Sequence, residues 1–227
     1  MFNGSSILAF LLLCTICFCG CKKDTSNDSS TEHTYYISGA FKPWVIYKPG
    51  SYWIYLNEKT GEQDSTFVKS ISSGIQATDG YKSSPTEDHE WVSMSLSGKL
   101  FSSFFVEATS AYPDLVSDNA NLTITPSSPG IGVVSFSYYL LEYPGFDIYR
   151  SQEEIYNIGV KQVYPTETIN GNSFNNVYNL CHEWLTSIGD SLVTEAHLVK
   201  DVGIIKFRIY REPYDTTWSL LRYKVIQ

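Results

Sequence analysis

Cys181 and His182 are the adjacent pair of side chains with the greatest nucleophilic potential, and they lie in a strand-like run over residues 174–185. A catalytic thiol needs a base within hydrogen-bonding reach, but neighbouring residues of a strand point to opposite faces of a sheet. Free cysteine is also among the most buried residue types. We therefore expect Cys181 to be a core residue, with a reactive thiol as the alternative.

Candidate metal ligands and acid–base pairs are scattered. The densest polar group, Glu87 to Glu90, falls in a predicted loop, where solvated side chains are expected and a divalent-cation site is the alternative. The neighbours Glu153 and Glu154 follow Ser151 with the spacing of a capping box, which predicts a short helix rather than a cleft. Motifs for a nucleophile elbow, a dinucleotide turn or a phosphate loop are absent. The sequence thus predicts no catalytic residue, no metal site and no cofactor.

One cysteine near the start has a different chemistry. Residues 7–19 form an uncharged apolar run of 13 residues, shorter than the roughly 20 that span a membrane, so they predict a secretory signal. The run ends in Phe18-Cys19-Gly20-Cys21, which resembles the lipobox of bacterial lipoproteins. That resemblance implies cleavage before Cys21 and attachment of fatty acyl chains, such as palmitate, to Cys21. An ordinary secretory signal is the alternative.

The residues after Cys21 are polar and rich in Ser, Thr and Asp, so they cannot offset the entropy cost of ordering. This predicts a signal peptide over 1–20, a flexible tether over 21–34 and one β-rich domain over 35–227. Lys22-Lys23-Asp24 also resembles the export signal of Bacteroidetes lipoproteins. It implies a lipid anchor on the outer face of the outer membrane, with a periplasm-facing anchor as the alternative.

Composition excludes several classes of protein. The chain carries 16 Lys and Arg against 24 Asp and Glu, a net charge of −8 without a basic patch, which argues against a nucleic-acid partner. Aromatic residues make up 15% of the sequence, which is incompatible with a disordered chain. The partners expected are a membrane, reached through the lipidated end, and an unidentified ligand or envelope protein.

Strand signals dominate the domain. Residues 174–185 and 192–199 read as a hairpin around Gly189-Asp190. Alternation places Ile205, Phe207 and Ile209 on one face, and in the last strand Leu221, Tyr223 and Val225. Long loops are predicted over 79–90 and 108–130. The fold class expected is all-β and mainly antiparallel, as a single β-sandwich or an open or partial β-barrel with at most one or two short helices.

Several stretches resemble Bacteroidetes lipoproteins of unknown function: residues 49–55, 169–178, 200–206 and 218–223. The resemblance implies a β-rich domain behind a lipid anchor and implies no activity. Trp53 and Trp218 suit half-buried strand positions, and Gly203 before a buried strand indicates a bulge or a tight entry.

Aromatic residues are the feature closest to a function. They cluster before the first clear strand and after the long central one, where they could stack on sugar rings or simply pack; the clusters are Tyr35, Tyr36, Phe41, Trp44 and Tyr47, and Tyr138, Tyr139, Tyr143, Phe146 and Tyr149. The function predicted is a lipid-anchored, non-catalytic envelope domain that binds a ligand or partner. The alternatives are a lipid or lipoprotein carrier with an open β-barrel cavity and a hydrolase with an unrecognised site.

Overall fold

Strands make up most of the residues that the structure, a computed structural model, describes. These residues are 33–78, 87–109, 119–126, 134–137, 146–150, 154–186 and 191–227. In chain order the elements are β1 (His33–Tyr35), α1 (Lys42–Val45), β2 (Tyr52–Asn57), β3 (Gln63–Thr78), β4 (Glu87–Ser97), β5 (Phe101–Thr109), β6 (Asn119–Pro126), β7 (Val134–Ser137), β8 (Phe146–Arg150), β9 (Glu154–Ile169), β10 (Asn172–Thr186), β11 (Ser191–Val199), β12 (Gly203–Arg211) and β13 (Tyr214–Lys224).

All these strands belong to one sheet. Its order is β7-β6-β5-β4-β3-β2-β13-β12-β11-β10-β9-β8, and every neighbouring pair along it is antiparallel. Short β1 adds to β4 in parallel. Because β2 pairs with β13, the two ends of the domain sequence meet in the middle of the sheet. The predicted all-β, mainly antiparallel class is confirmed, in its open half-barrel form.

The sheet curls around its own core. Phe101 on β5 and Phe207 on β12 have ring centroids 4.9 Å apart, although four strands lie between them in the sheet order. Tyr55 on β2 also reaches Phe101, at 5.9 Å. Edge-to-face contacts of this kind suit aromatic quadrupoles. Both halves of the sheet therefore bury their inner faces against each other.

Alternation along each strand decides which side chains enter this core. In β2, Trp53 and Tyr55 are buried, while Ile54 and Leu56 are partly exposed. The Trp53 indole N–H donates to the Val202 carbonyl at 2.7 Å, so its polar atom is satisfied inside the core. The expectation that Trp53 and Trp218 would be half-buried is wrong, since both face the interior of the curl.

The segment between β1 and β2 covers one part of the core. Phe41, Val45 and Tyr47 are buried there, and the Tyr47 ring packs edge-to-face on Trp53 at 4.9 Å. The Ile37 amide donates to Glu90 on β4 at 2.8 Å, which ties the segment to the sheet. The early aromatic cluster thus serves largely for packing.

Parts of the predicted local structure are wrong. β4 begins at Glu87 inside one predicted loop, and β6 lies inside the other. The predicted helix after Ser151 is replaced from Glu154 onward by β9, which pairs with β8 and β10 on its two sides. Pairing on both edges outweighs a local capping signal, because each paired residue gains hydrogen bonds from a neighbour.

The C-terminal predictions fare better. β10 and β11 pair as the predicted hairpin, and Ile205 and Phe207 are fully buried. The face predicted for the last strand holds only beyond its bulge, where Tyr223 stands opposite buried Trp53 and Val225 packs against the core. A register shift between Leu220 and Arg222 makes Leu220 the fully buried residue, while Tyr223 is 40% exposed.

Candidate functional site

Cys181 and His182 sit on β10 with opposite orientations, as predicted. Cys181 is buried and stands across from Glu195 on β11, whereas His182 stands across from Thr194. Burial and the nearby Glu195 carboxylate raise the pKa of the Cys181 thiol to about 11. Burial also lowers the pKa of His182. The thiol is buried and stays protonated at neutral pH, which supports an unreactive packed cysteine over the reactive alternative, although Cys181 shares the face of Glu195 and not that of the core cluster around Phe207.

The group from Glu87 to Glu90 is part of β4 and not a solvated loop. His89 is buried; its Nδ1 lies 2.7 Å from the Ala108 carbonyl oxygen, and its ring lies beside Tyr35. Glu90 accepts hydrogen bonds from the Ile37 amide at 2.8 Å and the Lys42 ammonium at 3.1 Å. These contacts are structural. Across the part of the chain that the structure describes, no three His, Cys, Asp or Glu side chains converge as metal ligands would.

Charged side chains form a ladder across β9, β11, β12 and β13. Lys161 forms an ion pair with Glu195 at 2.5 Å, and Arg208 donates two hydrogen bonds to Asp215 at 2.9 and 2.8 Å. Arg208 also lies 3.7 Å from Glu195. The hydrogen bonds from Arg208 lower the pKa of Asp215, and the bond to Glu195 raises the pKa of Lys161. Arg208 pairs with charges on the two neighbouring strands, as in cross-strand stabilising pairs, whereas the Lys161–Glu195 contact reaches across β10, which lies between β9 and β11.

A second polar pair lies nearby on β9 and β11. His197 Nδ1 and Glu167 Oε2 are 2.6 Å apart, and the Tyr164 ring stacks on the imidazole at 5.6 Å. His197 is buried.

Asp64 on β3 holds the turn between β4 and β5. Its carboxylate accepts hydrogen bonds from the Thr66 hydroxyl and from the amides of Lys99 and Leu100.

The aromatic residues best placed for binding are Trp91 on β4 and Phe105 on β5. Both are partly exposed, with ring centroids 6.2 Å apart and planes inclined by 21°. They point away from the core, because the adjacent Val92, Met94, Phe104 and Val106 are buried. The pair forms an aromatic platform on the solvent side of the sheet.

Gly74 on β3 lets this platform lie close to the sheet. It stands opposite Trp91 in the β3–β4 register. A Cβ at position 74 would come within 3.2–3.3 Å of three atoms of the indole ring. The indole therefore rests over the glycine backbone, where a larger residue would push it outward.

Hydroxyl groups surround the platform on β3 to β6. We call this surface, which includes Trp91 and Phe105, the hydroxyl face. The strand register places seven hydroxyl side chains on it: Ser70, Ser72, Ser93, Ser95, Ser103, Thr123 and Thr125. Glu107, beside Trp91 on β5, is the one acidic side chain among the described residues of this face. The face combines flat apolar area with many neutral donors and acceptors.

The sequence did not single out this platform. Of the aromatic residues that it did single out, Phe41 and Tyr47 are buried, and Trp44 packs edge-to-face on Tyr178. The side chains of the cluster from Tyr138 to Tyr149 lie outside those described. The alternating serines after Trp91 could have indicated a hydroxyl-rich strand face from the sequence. That Phe105 lies beside Trp91 could not be predicted, because it depends on the register of β4 with β5.

Residues 1–32, including Cys21, lie outside the described residues. Within those that are described, no helix has the length and apolar character needed to cross a membrane. Comparisons with protein-family models, with curated proteins and with solved structures found no significant match to this chain.

Proposed function

We propose that this chain is an envelope lipoprotein, anchored in the outer membrane through lipid on Cys21, whose β-domain binds a neutral glycan on the hydroxyl face without catalysing a reaction. The observation that carries the binding proposal is the Trp91–Phe105 platform among seven Ser and Thr side chains. The anchor rests on the lipobox-like sequence before Cys21 and on the polar tether after it.

Sugar chemistry matches this surface. The C–H face of a pyranose ring is apolar and packs on an aromatic ring, while its hydroxyls exchange hydrogen bonds with Ser and Thr side chains, which both donate and accept. An anionic sugar is disfavoured at the platform, since Glu107 opposite Trp91 is negative and the register places no Lys or Arg opposite Trp91 or Phe105. A neutral glycan is therefore the ligand class that fits.

Two further observations favour binding over the alternatives. Glycoside hydrolysis requires two carboxyl groups about 5–9.5 Å apart, and the described part of the hydroxyl face has one, Glu107. A lipid carrier needs an open interior, but Phe101, Phe207, Tyr55 and Met94 fill the described interior of the curl and are fully buried. Binding of a ligand on the outer face of the sheet needs neither a second carboxyl group nor an open interior.

Replacing Trp91 with alanine is expected to weaken glycan binding by roughly tenfold or more, because the larger ring of the platform is lost. The measurement is affinity electrophoresis of the detergent-solubilised chain in gels that contain a neutral glucan, mannan or galactan, with anionic alginate as the comparison. Tyr214→Ala is the matched control, since Tyr214 is a 74% exposed aromatic residue on β13, outside the hydroxyl face. Binding to none of the neutral polymers, or equal retardation of W91A and the unaltered chain, would contradict the proposal.

Cys21→Ser is expected to abolish incorporation of labelled palmitate and to release the chain from the membrane fraction of a lipoprotein-processing bacterium. The physical reason is that the acyl chains supply the membrane affinity, at about 0.8 kcal/mol per buried CH₂ group. Cys19→Ser, two residues upstream, is the control and should keep its label. Labelling that survives in C21S would refute the anchor without touching the glycan proposal.

A further inference from the structure

β3 extends well beyond β2, its neighbour on one side. β2 pairs with Gln63 to Phe67, and the Val68 amide donates to Ser51, where this side of the ladder ends. β4 continues on the other side as far as Thr78. Within the described part of the chain, no strand pairs with residues 69–77 on the β2 side, and all of them except half-buried Gly74 are exposed. We call residues 69–77 the β3 ledge.

An unpaired edge of this length has a specific requirement. Along this edge, alternate residues direct their backbone N–H and C=O groups away from β4. Another extended strand can pair with such a row of groups. The ledge also exposes two aliphatic side chains on one face, Ile71 at 37% and Ile75 at 49%. The face is the inner one, because Ile71 stands opposite fully buried Met94. A strand added here would cover both isoleucines.

The order of residues along the ledge identifies the partner. We propose that the β3 ledge pairs antiparallel with the ledge of a second copy of this chain, about a two-fold axis at Ser73. Around that axis Ile71 faces the partner's Ile75, Ser72 faces the partner's Gly74, and Lys69 faces the partner's Ala77. A two-fold interface must be self-complementary. This register pairs aliphatic with aliphatic on the same face and keeps the two lysines apart.

The dimer would make one continuous sheet from two open ones. The hydroxyl faces would then lie side by side, with Trp91 and its counterpart three strand spacings apart across the sheet, about 14 Å at about 4.8 Å per strand, and offset by two residues along the strands. Such a dimer presents two aromatic platforms to one extended polymer, which raises avidity without any new contact. The dimer itself does not depend on the proposed glycan binding or on the lipid anchor.

The test uses cysteine crosslinking of the full chain as expressed in cells, in both the membrane and the soluble fraction. A two-fold axis at residue 73 brings this position opposite itself, at a Cα separation of about 4.5–5.5 Å, within the range that a disulfide spans. Under copper-phenanthroline oxidation, S73C is expected to form crosslinked dimers in most chains. S65C is the matched control, because Ser65 is an exposed β3 serine whose edge on the β2 side is already paired with Ile54.

The register is tested by two further variants. I71C alone should give no more crosslinking than S65C, since its partner position is occupied by Ile75, while the double variant I71C/I75C should crosslink as well as S73C. The unaltered chain measures the background from its own cysteines. Crosslinking of S73C at the level of S65C would overturn the proposal. Capture of a different protein at position 73, without self-dimers, would assign the ledge to that partner instead.

Discussion

Phe101→Ala is expected to lower the free energy of unfolding by about 3–5 kcal/mol, the cost of removing a fully buried aromatic ring. Phe101 has no exposed surface, and its ring contacts Tyr55, Phe104 and Phe207 at centroid distances of 5.9, 5.5 and 4.9 Å. Those partners come from both halves of the curled sheet. The cavity left by alanine would therefore open where the halves meet. Urea denaturation followed by tryptophan fluorescence measures the change.

Phe105→Ala is the matched control for this prediction. Phe105 lies on the same strand but points outward and is partly exposed, so its truncation leaves no closed cavity. We expect a loss of about 1 kcal/mol or less, as for surface substitutions that keep the fold. If F101A cost no more than F105A, the two halves of the sheet would not be packed through Phe101.

Gly203→Ala is expected to destabilise the domain by about 2–4 kcal/mol, from backbone strain and overpacking together. Gly203 has φ +97, a region that side chains other than glycine avoid. An added Cβ would lie 2.9 Å from the Tyr47 hydroxyl oxygen and 3.3 Å from the Trp53 indole nitrogen. Both rings belong to the core, and Trp53 would have to shift away from its hydrogen bond to Val202. Thermal and urea unfolding measure the loss.

Gly61→Ala distinguishes the cost of backbone strain from the cost of overpacking. Gly61 also has a positive φ, +73, but nothing lies within 4 Å of the Cβ that alanine would add. Its substitution should therefore cost only the backbone strain, about 1 kcal/mol. Equal losses for G203A and G61A would mean that the Tyr47–Trp53 contact around Gly203 is not tight, contrary to the packing described.

Local pattern predicted some elements and misled on others. Ile205 and Phe207 were assigned to the core by period-two alternation, and both are fully buried. Alternation works there because it depends only on the geometry of one strand. The Ser151 capping signal failed, since Glu154 begins a strand paired on both sides. In the last strand, the register shift after Leu220 made Leu220 rather than Leu221 the buried residue, while Tyr223 beyond the shift keeps the predicted face opposite Trp53.

The candidate site shows the same division. That Cys181 and His182 face opposite ways could be deduced from the sequence, because adjacent strand residues always do so. That Trp91 and Phe105 form one platform could not, because it depends on how β4 and β5 are paired. The overhang of β3 past β2 is likewise invisible before the strand lengths and partners are known.

The amino-acid order was sufficient for the all-β class, for the burial of Cys181 and for a polar stretch after an apolar run, because each of these depends on a residue and its near neighbours. Only the folded sheet decided which strands are adjacent, which aromatic rings share a face and which edge of β3 stays open. Those features depend on hydrogen bonds and ring contacts between residues far apart in the chain, and a shift of one residue in register would move every side chain to the other face.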